Sequence, residues 1–400
     1  MRRIDTTERR ARLVTRHHLA PSLRARTLEE VARAVVGIHS SDPITVFLAG
    51  WARLCEPDVS AMERELYEDG TLLRMHGMRR TLFVFPRDVA PLIHAGAAEK
   101  IAAAERTRVL GQIAGAGIAK DPAPWLAEVE ASTLKALRAR GEATANQLGA
   151  DEPRLRTQMR FAVGKTYEGT VGVSTRLLFL LAMEGRIARG RPAGSWLSSQ
   201  YRWIPIETIY PEGYPPIEPP VARTGIVRRW LQAFGPATVA DIRWYTGWTV
   251  AEVRRILGEL GVVEVELDGQ TGVVLADDPD RTIAPAPFAS FLPGLDPTVM
   301  GWIDRQFFLG GHARALFDTN GNAGPTVWWD GHIVGGWAQR ADGAIDHKLL
   351  EDVGREAEAA IAGEGERLRT WLGPARVNPR FRTFFEQALA SGRSTDGSTP

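Results

Sequence analysis

Two stretches of this chain repeat one local pattern, Gly141-Glu142-Ala143-Thr144-Ala145-Asn146-Gln147-Leu148 and Gly235-Pro236-Ala237-Thr238-Val239-Ala240-Asp241-Ile242. Glycine, alanine, threonine and a closing apolar residue fall at the same offsets in both. Each stretch follows a predicted helix, at about 125–140 and about 221–234, and Thr144 is placed to N-cap another. The echo therefore falls at the same point of two helix–turn–helix patterns, and it points to an internal repeat.

A third stretch shares the wider order of helices followed by a short two-stranded ribbon. A helix is expected from Thr6 or Thr7 to about Leu19. Thr27-Leu28-Glu29-Glu30 forms a capping box, and Leu28, Val31, Ala32, Val35 and Val36 keep helical spacing behind it. Further helices are expected over 44–54 and 59–69. Strands follow over 70–75 and 81–85, around the basic turn Gly77-Met78-Arg79-Arg80. In the 141–148 unit a basic helix carrying Arg154, Arg156, Arg160 and Lys165 is expected next, then an apolar helix over 174–185. Wing arms follow at 186–191 and 201–204. Beyond the stiff linker Pro215–Pro220, the next unit has a helix over 249–260 with Arg254 and Arg255, and strands at 262–267 and 272–275. From about 280 the texture turns to proline, glycine and aromatic residues. Thr326 to Val334 reads as a hairpin with an Asp-Gly turn, within a small barrel or curved sheet. Residues 342–366 are acidic and read as one or two helices, and the polar tail 391–400 as disordered.

The expected fold class is α+β. It comprises three tandem winged-helix domains (1–115, 116–214 and 221–278), a small β-barrel over 279–345, C-terminal helices over 346–390 and the tail.

The net charge of +1 hides a strong polarity. Residues 1–26 carry a balance of +6, residues 151–204 of +5, and residues 264–304 of −7. Such a chain can turn one basic face to phosphates while staying neutral overall. Only five of its 49 basic residues are lysine; arginine forks suit phosphates and base edges, although a GC-rich genome produces the same bias. Winged helices place one helix in the major groove and a hairpin along the backbone. On that geometry Arg154, Arg156, Arg160, Lys165, Arg254 and Arg255 belong to candidate recognition helices, and Arg79, Arg80, Arg186, Arg189 and Arg191 to candidate wings. The bland alternative is a set of solvated faces.

The single cysteine, Cys55, excludes an internal disulfide and a cysteine-based zinc cluster. The histidines show no metal-ligand spacing, and Gly310-Gly311 and Gly335-Gly336 lack the lysine of a phosphate loop, so no metal or cofactor is expected. No apolar run approaches a membrane span and no signal region opens the chain, which points to a cytoplasmic protein.

Val36-Gly37-Ile38-His39-Ser40-Ser41-Asp42-Pro43 gathers three groups able to handle a proton or a water where a helix ends. The competing reading is that Ser41 or Asp42 N-caps the helix from Ile44, with His39 a surface residue.

The chain resembles the tandem winged-helix DNA glycosylases of the AlkZ/YcaQ type over about residues 5–390. The matching residues are Gly37 to Pro43, Arg74 with Met78-Arg79-Arg80-Thr81-Leu82, Leu292-Pro293-Gly294-Leu295-Asp296 with Asp304-Arg305, and Asn320 to Pro325 with Trp328, Asp330 and Gly331. The resemblance implies three winged-helix domains and a C-terminal β-barrel in a C-shape around double-stranded DNA. It also implies a Gln-x-Gln or Gln-x-Asp motif that positions the hydrolytic water. Those two positions are His39 and Ser41 here, a departure from the pattern, with Asp42 following. The implied activity is monofunctional excision of alkylated or bulky purine adducts, in repair or in self-resistance, by a monomer associated with the nucleoid. His39, Ser41 and Asp42 are its candidate catalytic residues. The alternatives are a non-catalytic DNA-binding protein that lost the glutamine motif, and a protein-interaction module.

Overall fold

The computed structural model describes residues 1–161, 164, 168–278 and 280–395. Helices and mostly antiparallel sheets mix along the whole chain, as expected of an α+β protein. The chain divides into two compact units. One comprises Met1–Glu65, Val84–Pro86 and Thr224–Pro400, the other Leu66–Phe83 and Arg87–Arg223.

In the first unit the helix Pro43–Arg53 is buried along all eleven residues. Its sequence, PITVFLAGWAR, is apolar all round apart from Thr45 and the closing Arg53, which is the signature of a helix enclosed by other elements. Before it, Thr27 and Glu30 form the expected capping box of the Leu28–Ala34 helix. Thr238 and Asp241 form another, opening Val239–Thr246, which leads into Val250–Leu260. The ribbon Val263–Leu267 and Gln270–Val274 follows, and Arg2–Arg3 joins its outer edge in parallel. Ile4 then closes a small core with Val265, Leu267 and Val274. Further on, Ala289–Leu292, Thr326–Trp329, His332–Gln339 and Ile345–Leu349 lie side by side, each antiparallel to the next. Asp330 and Gly331, both at positive φ (43° and 80°), make the tight turn between the middle two.

In the second unit, Leu72–His76, Ile187–Pro192 and Tyr201–Pro205 form antiparallel neighbours. Helices Glu99–Gly115, Pro122–Arg140, Ala145–Asp151 and Val173–Met183 supply a core that includes Leu126, Leu137, Leu148, Leu177, Leu181 and Trp203. Thr144 caps Ala145–Asp151 in a box with Gln147.

Four expectations are corrected. The basic helix over 154–165 does not form: Pro153–Arg156 is a single 3-10 turn, and Gln158–Phe161 pairs with Gly169–Gly172 as a ribbon. Met159 is buried between exposed Gln158 and Arg160, a period-2 pattern, and glycines 164, 169 and 172 weigh against helix. Lys165 lies outside the described residues. Next, residues 342–366 are not wholly helical, because Ile345–Leu349 extends the sheet before the helix Gly354–Leu372 begins. The start of the tail is also tied down: Arg393 N donates to Ala388 O at 2.9 Å, and Lys348 Nζ to Thr395 Oγ1 at 2.7 Å. Residues 396–400 lie outside the described residues.

The fourth correction concerns charge. The N-terminal arginines and the acidic stretch do not form separate faces. Arg12 and Arg16 both pair with Asp278, at 2.9 and 2.6 Å, and Arg12 also with Glu8 at 3.0 Å. Arg3 reaches Glu266 at 3.2 Å, and Arg9 lies over the Phe307 ring at 3.8 Å. Much of the local excess of positive charge is neutralised inside the unit.

Candidate functional site

The segment from Val36 to Asp42 is held by constraints that precede any chemistry. Val36 and Gly37 have φ of +50° and +99°. A β-branched residue in the left-handed region is an outlier that surrounding structure must impose. Gly37 is required on two counts, because a side chain there would strain the backbone and its Cβ would press into the Phe85 ring. The buried Tyr245 hydroxyl donates to Val36 O at 3.2 Å. This sharp turn leads into the short strand Ile38–His39 and the buried Ser40.

Asp42 is the N-cap of the buried Pro43–Arg53 helix. It accepts from Ile44 N at 3.2 Å through one oxygen and from Arg380 N at 2.8 Å through the other, and is 5% exposed. The capping alternative raised by the sequence is thus observed at Asp42. His39 and Ser41 are half-buried. Burial lowers the His39 imidazole to about 4, so it is neutral at pH 7.

The later sequence blocks frame this segment. Thr45 Oγ1 donates to Gly294 O at 2.9 Å, and Leu295 N donates to Ala323 O at 2.9 Å. At the far end of the helix, Arg53 pairs with Asp296. A cavity of about 10 Å³ beside Asp42 and Thr45 is lined by Pro293, Gly294, Trp337 and Phe381 among others. That is room for about one water.

The candidate DNA-contacting arginines differ in their commitments. Arg254 is exposed on its helix beside a groove of about 710 Å³, which Thr238, Ala240, Gln270 and Thr271 also line. Arg255 pairs with Glu259 one turn on. In the second unit Arg156 is exposed and has no ion pair among the described residues. Arg154 is engaged by Glu152 and Glu128, Arg160 by Glu168, Arg186 by Glu130, and Arg191 by Glu68. Arg189 is half-buried over Tyr201 and Trp203 instead of lying on an open wing. Arg79 and Arg80 are exposed, and Arg80 reaches Glu105 at 3.0 Å.

Sequence reasoning missed Tyr245, which lies 209 residues from the carbonyl it binds. No local signal links the two. It also missed Arg53, which reads as an ordinary helix-ending base.

Comparison with known proteins agrees with this framework. A solved structure, the Streptomyces sahachiroi DNA glycosylase AlkZ, superposes with a TM-score of 0.72 over 94% of this chain and 99% of that one, at 20% identity, so the fold is shared. The interstrand DNA cross-link repair glycosylase of Streptomyces sahachiroi is 26% identical over 176 residues, which cover 41% of this chain and 46% of that protein. The match thus spans about half the length of that relative. The family profile described as DNA glycosylase AlkZ-like matches residues 32–371, a span that includes the strained turn, His39 to Asp42 and the Asp296 block. On that coverage the chain belongs to the AlkZ-like DNA glycosylase family.

Proposed function

We propose that this chain is a monofunctional DNA glycosylase that hydrolyses the N-glycosidic bond of alkylated or bulky purine adducts in duplex DNA. The observation that carries the reading is the family match over residues 32–371, which includes the polar segment 39–42. Three winged-helix units and a C-terminal β-barrel hold the DNA, and the protein acts as a monomer in the cytoplasm.

An N-alkylated purine is already a cationic leaving group, so the reaction needs little acid catalysis. It needs a placed water and stabilisation of an oxocarbenium-like sugar. His39, neutral at pH 7, accepts a proton from that water or orients it. Ser41 holds the water. Asp42 fixes the geometry of the segment through hydrogen bonds from Ile44 N and Arg380 N and supplies negative charge at its end. No lysine lies in the segment, so a Schiff-base step has no local nucleophile.

One observation favours a second reading, a DNA-binding protein without catalysis: Asp42 serves as a buried helix cap. Release of N7-alkylpurine from alkylated duplex DNA separates the two. The glycosylase reading expects release by the wild type and loss of it in His39→Ala. Absence of release across a broad set of adducts, with DNA binding intact, leaves the second reading.

A further inference from the structure

The unit that holds residues 66–83 and 87–223 carries a cationic cluster with no part in the chemistry above. Arg74 and Arg189 lie directly opposite each other on paired antiparallel strands. Like charges at such positions repel. The Arg189 guanidinium is fixed over Tyr201 and Trp203, 3.1 and 3.7 Å from the ring centroids. His76, two residues beyond Arg74, shares its face of the strand and meets the Phe179 ring edge-on at 4.8 Å. His76 is 6% exposed, and its Nδ1 is buried with no hydrogen-bond partner among the described residues. Arg80 lies over the same Phe179 ring at 5.2 Å and pairs with the buried Glu105 at 3.0 Å.

The turn that delivers Arg80 is strained. Arg79 and Arg80 follow one another at φ of +55° and +67°, a region that disfavours any residue with a Cβ. Such strain persists where the placement of side chains matters. Burial and the field of Arg189, Arg74 and Arg80 push the His76 imidazole down to about 3. It is therefore neutral at pH 7, with one N–H to donate and one lone pair.

We propose that Arg74, His76 and Arg189 form a binding site for a phosphate ester. Guanidinium forks match phosphate oxygens in pairs. The imidazole N–H completes the set from inside the fold. A phosphodiester of a nucleic-acid strand and the phosphate of a free nucleotide present the same oxygens. In the first case the proposal rests on the DNA-binding reading above; in the second it stands without it.

The test uses the full chain as wild type, His76→Phe and Arg189→Gln. Phe keeps an aromatic ring against Phe179 while removing the N–H. Each protein is titrated with a short fluorescent duplex over a range of salt, and with adenosine monophosphate. Both variants are expected to weaken binding about tenfold, and Arg189→Gln to reduce the slope of log affinity against log salt by about one, because it removes one phosphate contact. His76→Phe leaves that slope unchanged, since it removes no charge. If Arg189→Gln does not fold, Arg189→Lys keeps the charge without the fork and is expected to bind less well than wild type. A loss confined to one titrant supports the site and names its source. Wild-type affinity in both variants for every titrant that binds overturns the proposal and leaves the DNA-binding reading standing. A wild type that binds the nucleotide but no duplex removes that reading and leaves the proposal.

Discussion

Arg53 and Asp296, 243 residues apart in sequence, meet in a two-pronged ion pair at 2.9 and 2.6 Å with both side chains wholly excluded from water. The guanidinium is also satisfied elsewhere: Nε donates to His17 O at 3.0 Å, one terminal nitrogen to Ala49 O at 3.1 Å, and the other to Thr298 Oγ1 at 2.8 Å. Asp296 in turn accepts from Thr298 N at 2.9 Å. The pair joins the end of the buried Pro43–Arg53 helix to the loop that follows strand Ala289–Leu292. The same loop receives Thr45 at the start of that helix. A helix pinned at both ends presents the His39–Asp42 segment in a fixed position.

Removing one partner strands a buried charge. Asp296→Ala and Arg53→Ala are each expected to cost about 3–5 kcal/mol. Arg53→Lys should recover little, because a point charge cannot reproduce the fork. The double substitution Arg53→Met with Asp296→Leu should be less destabilising than either alanine variant. Urea unfolding of these four variants and of the double alanine variant checks this order, and additive effects of the two alanine substitutions would rule out the coupling.

Gly37→Ala meets two obstacles, a φ of +99° and the Phe85 ring where the new methyl would lie. A loss of about 1–3 kcal/mol is expected. Phe85→Leu in the same chain should restore the steric part but not the backbone part. Tyr245→Phe removes only the hydrogen bond to Val36 O and should cost about 1–2 kcal/mol. Thermal melts give the stabilities. If either variant retained full base release despite its lost stability, the turn would have no role in placing His39.

The His39 imidazole is held near 4 by burial, below its ordinary 6.5. Its folded pKa is depressed, so the unfolded chain binds the extra proton first as pH falls. The contribution to stability is full above pH 6.5 and is lost progressively down to about pH 4, on the order of 3 kcal/mol. His76 and His94, lowered to about 3 and about 4, act in the same direction. Acid unfolding should therefore begin below about pH 6.5. His39→Gln, which removes the titrating group, should flatten part of that slope. Base release by the wild type should change little between pH 7 and about pH 5, because His39 stays neutral there. A steep rise or fall of activity centred near the ordinary histidine value would count against this.

What the sequence made legible was local. Caps at Thr27 and Thr144 set helix starts where expected, because the side chain and its target lie within one turn; the box at Thr238 was not anticipated, although it falls at the equivalent place of the repeated stretch. The Asp330-Gly331 turn was legible for the same reason. The expected helix over 154–165 failed because its arginines suggested a recognition helix, while the alternation around Met159 and the glycines beyond it favoured a ribbon. Charge misled in a related way. Arg12 and Arg16 are far from Asp278 in sequence but in contact in space, so a basic run did not become a basic face. At the candidate site, Asp42 carried a cap signal and a chemical signal at once. The Arg380 N contact, 338 residues away, shows how closely its carboxylate is engaged.

Two neighbouring arginines on one helix allow the DNA-binding reading to be tested inside the first unit. Arg254 is exposed beside the groove lined by Thr238 and Gln270, whereas Arg255 pairs with Glu259. A side chain already paired with a carboxylate must break that pair to reach a phosphate, and its removal frees the carboxylate to repel the backbone. Arg254→Ala should therefore weaken duplex binding about tenfold and lower the salt slope by about one. Arg255→Ala should weaken binding through Glu259 alone, and Arg255→Ala with Glu259→Ala should return close to wild type. Fluorescence anisotropy across a salt series measures all three. Equal losses in Arg254→Ala and in the double variant would mean that this helix contacts DNA through both arginines, and wild-type binding in all three would place the DNA on another face.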